Sequence, residues 1–317
     1  NGIESQPSFV KSGFQQWSNM GTLLFLLYIN DLCAILNCKM LCFADDLKIF
    51  SEIRSLEDCF LLQSKLNIIN EWCKSNKLTL NVQKCKVVTY SRKKTTIIHS
   101  YAIDDMALER CVSIKDLGVI FDAKLTFADH IEYIVSSALK SYGFIIRNCR
   151  NFYNIDSLIA LFNTLVRSKL EYASIIWYPI YDCYIKDIER VHRKFLKYLA
   201  FKTDGIYPEH GIEYDILCSR FDFVSLQSRR GIASMKFLYK LLHNSIDCID
   251  IIAQLNFNVP QVSRSNLMFR CNRARTNMLI KSPIHVMCNN YNKICRYCDV
   301  FNSSFNDILR TCKTHYH

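Results

Sequence analysis

Phe43-Ala44-Asp45-Asp46 is the stretch on which the reading turns. Residues 41–43 and 47–50 are short apolar runs of strand type, so the acids between them sit at the tip of a hairpin. Two adjacent carboxylates are electrostatically awkward, because each disfavours ionisation of the other. A divalent cation removes the difficulty, and phosphoryl-transferring enzymes use carboxylates to hold two Mg²⁺ ions about 4 Å apart. From the tetrapeptide alone a solvated Asp-Asp turn is the simpler reading, since Asp is a common turn residue. Its surroundings decide between the two.

Outward from the hairpin, residues 1–122 read as mixed strand and helix. Ser55 with Asp58 three residues later is a capping signal, and Leu56, Cys59, Phe60, Leu66, Ile69 and Cys73 recur at helical spacing after it. Residues 78–82, 87–90 and, within 115–122, 117–121 read as strands, with Arg92-Lys93-Lys94 at an exposed turn. Beyond Lys124 the pattern changes to amphipathic helices. Thr126 with Asp129 predicts a cap, followed by an apolar face of Ile131, Ile134, Val135, Ala138, Leu139, Tyr142 and Ile145. Helices follow at about 156–172, with Leu158, Leu161, Phe162, Leu165 and Val166 inward, and at 182–201. Gly205 and Pro208 mark a boundary; residues 225–243 read as a helix and 256–283 as irregular.

Composition bounds the rest. The 317 residues are 50% apolar or aromatic and 22% charged, which suits two or three packed units and excludes a disordered chain. Sixteen scattered cysteines form no repeating framework, so reduced thiols inside the cell, in cytoplasm or nucleus, are expected. No apolar run approaches the length of a membrane span, the longest being residues 23–27. The net charge of +11 is uneven: residues 1–120 carry 14 Lys/Arg against 12 Asp/Glu, and residues 121–317 carry 26 against 17. That excess points to a polyanion partner for the C-terminal two thirds.

The motifs around the hairpin form an ordered set. Upstream stands Gln16-Trp17-Ser18-Asn19-Met20-Gly21-Thr22-Leu23-Leu24-Phe25, continuing to Asn30-Asp31-Leu32. Downstream come Trp72-Cys73-Lys74-Ser75-Asn76-Lys77-Leu78-Thr79-Leu80-Asn81, then Lys84, then Lys115-Asp116-Leu117-Gly118-Val119. In this order and spacing the chain resembles the reverse transcriptases of non-LTR (LINE-type, jockey-like) retrotransposons. With segments 168–177, 188–199 and 228–242, the resemblance covers about nine tenths of the chain.

The resemblance implies an α+β fold: a truncated polymerase palm at 1–122, a helical thumb-like region at 123–205 and a helical C-terminal extension at 206–317. It implies RNA-directed DNA synthesis with an RNA template, a DNA primer, dNTPs and Mg²⁺, or Mn²⁺ in its place. Asp45 then matches the metal-binding aspartate and Asp46 its acidic neighbour. Phe43 and Ala44 match residues beneath the primer end. Gln16, Ser18 and Gly21 fall in the motif supporting template and nucleotide. Lys84 matches the lysine that offsets charge on departing pyrophosphate, and Leu117-Gly118 the turn that grips the primer.

Two departures bear on activity. Trp17 stands where the family has glycine and Thr22 where it has proline. The first catalytic aspartate belongs to a motif upstream of Asn1, so the chain is expected to hold an incomplete active centre. A catalytically silent nucleic-acid-binding remnant and a protein-interaction domain are the alternatives.

Two further constellations stand outside the palm motifs. Lys186, Arg190, Arg193, Lys194 and Lys197 fall within an arc of about 100° on one helix, opposite Ile185, Ile188, Val191, Phe195, Leu196 and Leu199. Such a stripe tracks phosphates or is a solvated face; Arg229, Arg230, Lys236 and Lys240 are a second, weaker candidate. Cys295-x-x-Cys298 and Cys312-x-x-His315 have zinc-ligand types, but an amphipathic run of Val300, Phe301, Phe305, Ile308 and Leu309 separates them. With sixteen cysteines such pairs arise by chance, so zinc is not expected. Cys33, Cys42 and Cys59 read as small core residues, and no His-based site is expected from His130, His192 or His210.

Overall fold

In the first half of the chain, apolar residues close one small core. The computed structural model describes residues 19–36, 38–209, 211–258, 267–271, 273 and 275–316. Helix α1 (Asn19–Leu36) leads into strands β1 (Lys39–Phe43) and β2 (Asp46–Phe50), then helix α2 (Leu56–Ser75). The capping box at the start of α2 forms as expected: Asp58 N donates to Ser55 Oγ, and the Asp58 carboxylate accepts from Ser55 N. Leu32, Leu36, Ile69, Trp72 and Cys73 are buried together, with Met40, Leu47, Ile49, Leu78 and Leu80 packed against them. Leu56 and Phe60, expected inward, are exposed, because α2 meets this core only through its C-terminal half.

Residues 78–80 do not form the expected strand; a 3₁₀ turn at Val82–Lys84 follows them. Strands β3 (Lys86–Val88), β4 (Ala102–Ile103), β5 (Met106–Ala107) and β6 (Glu109–Cys111) complete the unit, β3 pairing parallel with β6 and β4 antiparallel with β5. All four sheets among the described residues are two-stranded.

The chain divides after Val112, and the second unit starts with β7 (Ser113–Asp116) and β8 (Val119–Asp122). Of the short strand expected over 117–121, residues 119–121 lie in β8, while 117 and 118 form the turn of a hairpin. Leu117 (φ 43°) and Gly118 (φ 86°) both take positive φ, the sign pattern of a two-residue type I′ turn. Helices α3 (Ala128–Asn148), α4 (Ile155–Phe162), α5 (Ser168–Glu171), α6 (Asp182–Asp204) and α7 (Tyr214–Arg220) then pack round Phe162, Trp177, Ile188 and Phe195.

The expected Thr126 cap on α3 is shifted by one residue, Thr126 Oγ1 accepting from the N–H of Ala128 at 3.3 Å. Phe127 stands at the cap position with no side-chain bond, and the Asp122 carboxylate accepts from the backbone N–H of Lys124, Thr126 and Phe127. Between α4 and α5 the helix widens into a π turn at Asn163–Arg167. The inserted residue rotates the face, which explains why Leu165, expected inward, is exposed.

Helix α6 ends at Gly205 (φ 74°), but its core does not stop there. Leu217, Cys218, Phe223 and Leu226 join it, while Met235, Leu238 and Leu241 of helix α8 (Leu226–Leu242) enter a second core. That core takes in Tyr291, Ile294 and Cys312 from α11 (Pro283–Ile294) and α12 (Phe305–Tyr316); the short α9 (Ile249–Ile252) and α10 (Asn277–Ile280) precede them. Helix α12 begins at Phe305, later than the apolar run from Val300 implied. No helix among the described residues is long and apolar enough to cross a membrane.

Candidate functional site

The first site residues follow from the β1–β2 register. Phe43 pairs with Asp46 and Lys39 with Phe50, which leaves Ala44 and Asp45 as the two-residue turn. Asp46 is thus the first residue of β2 rather than part of the tip. Met40, Leu47 and Ile49 face the core, so alternation puts Leu41, Phe43, Asp46 and Lys48 on the outward face. Phe43, Ala44, Asp45 and Asp46 are all exposed. Ala44 has φ 50°, an uncommon conformation for a residue with a Cβ.

Lys84 is exposed at the end of the 3₁₀ turn. The segment leading to it is tied to the hairpin through Leu78 and Leu80, which pack in the same core as Met40, Leu47 and Ile49. Lys84 makes no ion pair with either aspartate among the described residues. Gly21 lies in the first turn of α1, and that helix joins α2 through Trp72 Nε1 donating to Asp31 and Tyr28 Oη to the Asn76 carbonyl. Gln16, Ser18 and Trp17 lie outside the described residues. Among the described residues no group of three or more His, Cys, Asp or Glu side chains converges. Cys298 and Cys312 are instead buried in the second core, while His315 is exposed with its ring 4.3 Å from that of Tyr297.

In the second unit, Leu117 and Gly118 are exposed at the β7–β8 turn. Tyr172 Oη donates to the Leu117 carbonyl at 2.8 Å, and a Cβ on Gly118 would meet the Tyr172 ring at 3.1 Å, so this turn needs glycine twice over. On α6 every apolar residue expected inward is buried. Opposite them Lys186, Arg190, Arg193 and Lys194 are exposed and Lys197 half-buried. Arg190 pairs with Asp187 at 3.3 Å, and Arg193 donates to the Ile212 carbonyl. Lys186 and Lys194 make no ion pair among the described residues.

Of the second basic cluster, burial takes Arg230 off the surface, while Arg229 stays partly exposed. Arg229 forms an ion pair with Glu171, and Arg230 is buried, 3.7 Å from the carboxylate of Glu189. Glu189 also accepts from Tyr214 Oη at 2.6 Å and from the N–H of Leu226 and Gln227. One carboxylate on α6 thereby caps α8, where the helix dipole favours negative charge, and faces a buried guanidinium. Sequence spacing gave no sign of this network, whose members are separated by up to 41 positions. His192 stacks on Phe162 and shares a 2.6 Å hydrogen bond with Tyr214 Oη; burial drives its pKa down to about 3. His130, beside Trp177, is likewise pushed down by burial, to about 4. Both act as neutral core residues. Cys59 is buried as expected, whereas Cys42 is exposed; the Cys33 side chain and His210 lie outside the described residues.

Comparison with known proteins bears on the first unit most directly. Residues 1–121 match the family model for reverse transcriptase (RNA-dependent DNA polymerase). A probable RNA-directed DNA polymerase from transposon X-element of Drosophila melanogaster is 24% identical over 201 residues, 60% of this chain and 22% of that protein. The RNA-directed DNA polymerase from mobile element jockey of Drosophila funebris is 22% identical over 212 residues, 63% of this chain and 23% of that protein. An uncharacterised Caenorhabditis elegans protein is 25% identical over 146 residues, 45% of this chain and 70% of its own length. The alignments span less than a quarter of either polymerase, and no solved structure matches the chain significantly. Residues 1–121 are thus similar to the reverse transcriptase family, and about three fifths of the chain is homologous to the RNA-directed DNA polymerases of the X-element and jockey transposons.

Proposed function

We propose that this chain is part of an RNA-directed DNA polymerase, with Asp45 at the metal-holding end of a nucleotidyl-transfer site. The observation that carries the reading is an exposed Ala44-Asp45 turn on an apolar base, inside the segment that matches the reverse transcriptase family. Mg²⁺ takes one or two carboxylates and fills its remaining positions with water and substrate phosphates, so Asp45 and Asp46 suit it in type and exposure. When bound, the ion supplies charge stabilisation at the transferring phosphoryl group. Asp45 would hold it, with Mn²⁺ able to replace Mg²⁺. Phe43 and Ala44 would lie beneath the primer end, and Gln16, Ser18 and Gly21 would support template and dNTP. Lys84 would offset negative charge on the leaving pyrophosphate.

In the second unit Leu117 and Gly118 would contact the primer, and Lys186, Arg190, Arg193, Lys194 and Lys197 the phosphates of an RNA–DNA duplex. The regions would then serve as palm to residue 122, thumb-like helices to 205 and an extension beyond. A second reading, a silent nucleic-acid-binding remnant, is favoured by the exposed cations of α6, which would hold a duplex whether or not the chemistry persists.

One set of assays tests both. Mg²⁺-dependent dNTP incorporation on a primed RNA template that is lost in Asp45→Asn supports the polymerase. Salt-sensitive binding of that template without incorporation supports the remnant. Five phosphate contacts give a log–log salt slope of about −3.5 to −4.5, and replacing Lys186, Arg190 and Lys194 with Ala should flatten it by about 2 to 3. Absence of both binding and incorporation sinks both readings.

A further inference from the structure

The outward side of α3 carries a cluster that the polymerase reading leaves unassigned. Tyr133 is exposed; its phenol oxygen accepts from Lys115 Nζ at 3.1 Å, and that ammonium lies 4.5 Å from the ring centroid. Further along the same side, Lys169 Nζ, reaching over from α5, donates to Ser137 Oγ at 3.2 Å and to Ser141 Oγ at 2.7 Å. Lys140 is exposed on the same helix, and Ser136, Ser137, Tyr133 and Lys140 line a groove of about 530 Å³. The adjoining anchor is Tyr172, just past α5, which binds the Leu117 carbonyl at the β7–β8 turn.

The chemistry of the cluster is that of an anion site. Each of the three hydroxyls accepts from a lysine, so its own hydrogen is left to donate outward. No ion pair to Lys115, Lys140 or Lys169 is found among the described residues. The Lys115 ammonium holds the Tyr133 phenol below its ordinary pKa, helped by Lys169 and Lys140, so the positive field converges on one oxygen. Asp129 and Glu132 line the N-terminal edge of the groove, and Asp116 follows Lys115 on β7; these acids confine the positive stretch to the side running from Tyr133 towards Ser141. From Tyr133 to Ser141 the helix rises about 12 Å. A free phosphate needs far less, whereas one strand of a duplex places about three phosphates in that length.

We propose that Lys115, Tyr133, Ser137, Lys140, Ser141 and Lys169 form a phosphodiester-binding strip that holds a nucleic-acid backbone beside the Leu117-Gly118 turn. The inference rests on the nucleic-acid-binding part of the function proposed above. It assigns contacts to α3, α5 and β7 in addition to the α6 stripe, whose Arg190 shares a second groove with Lys140.

The test uses the whole chain and a fluorescent primed RNA template, with binding measured across a salt series. Lys115→Gln with Lys140→Gln alters two exposed side chains and should flatten the slope by about 1.4 to 1.8. Tyr133→Phe keeps the ring under Lys115 and should weaken binding about three- to tenfold through the lost donor. In the unaltered chain, saturating template should raise the ultraviolet titration midpoint of Tyr133, a change that Tyr133→Phe removes. An unchanged slope and an unmoved titration, while the α6 variant still flattens the slope, overturn the strip alone. No template binding by the unaltered chain at low salt overturns both it and the function on which it rests.

Discussion

The two units differ in how they use similar apolar material. In the first, five buried residues from α1 and α2 form the core, while α1 leaves Met20, Leu23, Leu26, Leu27 and Tyr28 exposed. In the second, α3 to α8 close round Phe162, Phe195 and Trp177, all completely buried. The carboxylates and every family motif except Lys115–Val119 stand on the lightly packed unit, and the basic and hydroxyl surfaces on the densely packed one. A chemical motif needs a short rigid turn, whereas a surface that tracks phosphates needs helices whose other faces are fixed. Substitutions in the second unit should therefore cost far more stability than equivalent ones in α1.

Phe195→Ala sets the upper end of that contrast. It removes a ring stacked 3.9 Å from Phe162 and should cost about 3–5 kcal/mol in urea unfolding. Glu189→Ala should cost nearly as much, about 3–5 kcal/mol, because Arg230 would be left as a buried charge and the N–H groups of Leu226 and Gln227 would lose their acceptor. If either variant is near neutral, the second unit is not the stable half. Acid provides a reagent-free version. His130 is neutral when folded and protonates near pH 6.5 when unfolded, so the unfolded chain binds more protons between those values. Its contribution is complete above pH 6.5 and falls as pH drops towards 4, by about 3 kcal/mol in all. Melting curves from pH 7 to 4 should show the second unit losing stability over that window, and His130→Gln should shrink the loss.

Asp122→Ala sharpens the picture at the start of α3 and should cost about 2 kcal/mol. Burial raises the Asp122 carboxyl, but the N–H groups of Thr126, Phe127 and Lys124 outweigh it and hold the pKa below normal. That stabilisation is present above the ordinary aspartate range and fades as pH falls through the depressed value. At the small end, Leu27→Ala on the exposed side of α1 should change stability by less than about 0.5 kcal/mol. A loss of 2 kcal/mol or more there would mean that α1 is packed in solution and the contrast is false.

Much of this was legible in the residues. The hairpin, the Ser55–Asp58 box and the inward faces of α3 and α6 depend on contacts within a few positions, where period and capping chemistry act directly. A π turn leaves no mark in an apolar period, so the period alone puts Leu165 inward. Helical spacing shows that Arg229 and Arg230 are cationic, but not that Glu171 and Glu189 lie against them or that Arg230 is buried. The cluster on α3 is illegible in the sequence for the same reason: Lys115 and Lys169 reach Tyr133 and Ser137 from other elements, 18 and 32 positions away.

The sequence by itself determined the acidic hairpin, the order of motifs that marks the polymerase relationship and the amphipathic helices, since each is written in neighbouring residues. Tertiary structure alone decided which charges are buried and which face solvent. A charge takes its role from whatever the fold brings within about 4 Å of it, and chain order does not record that distance.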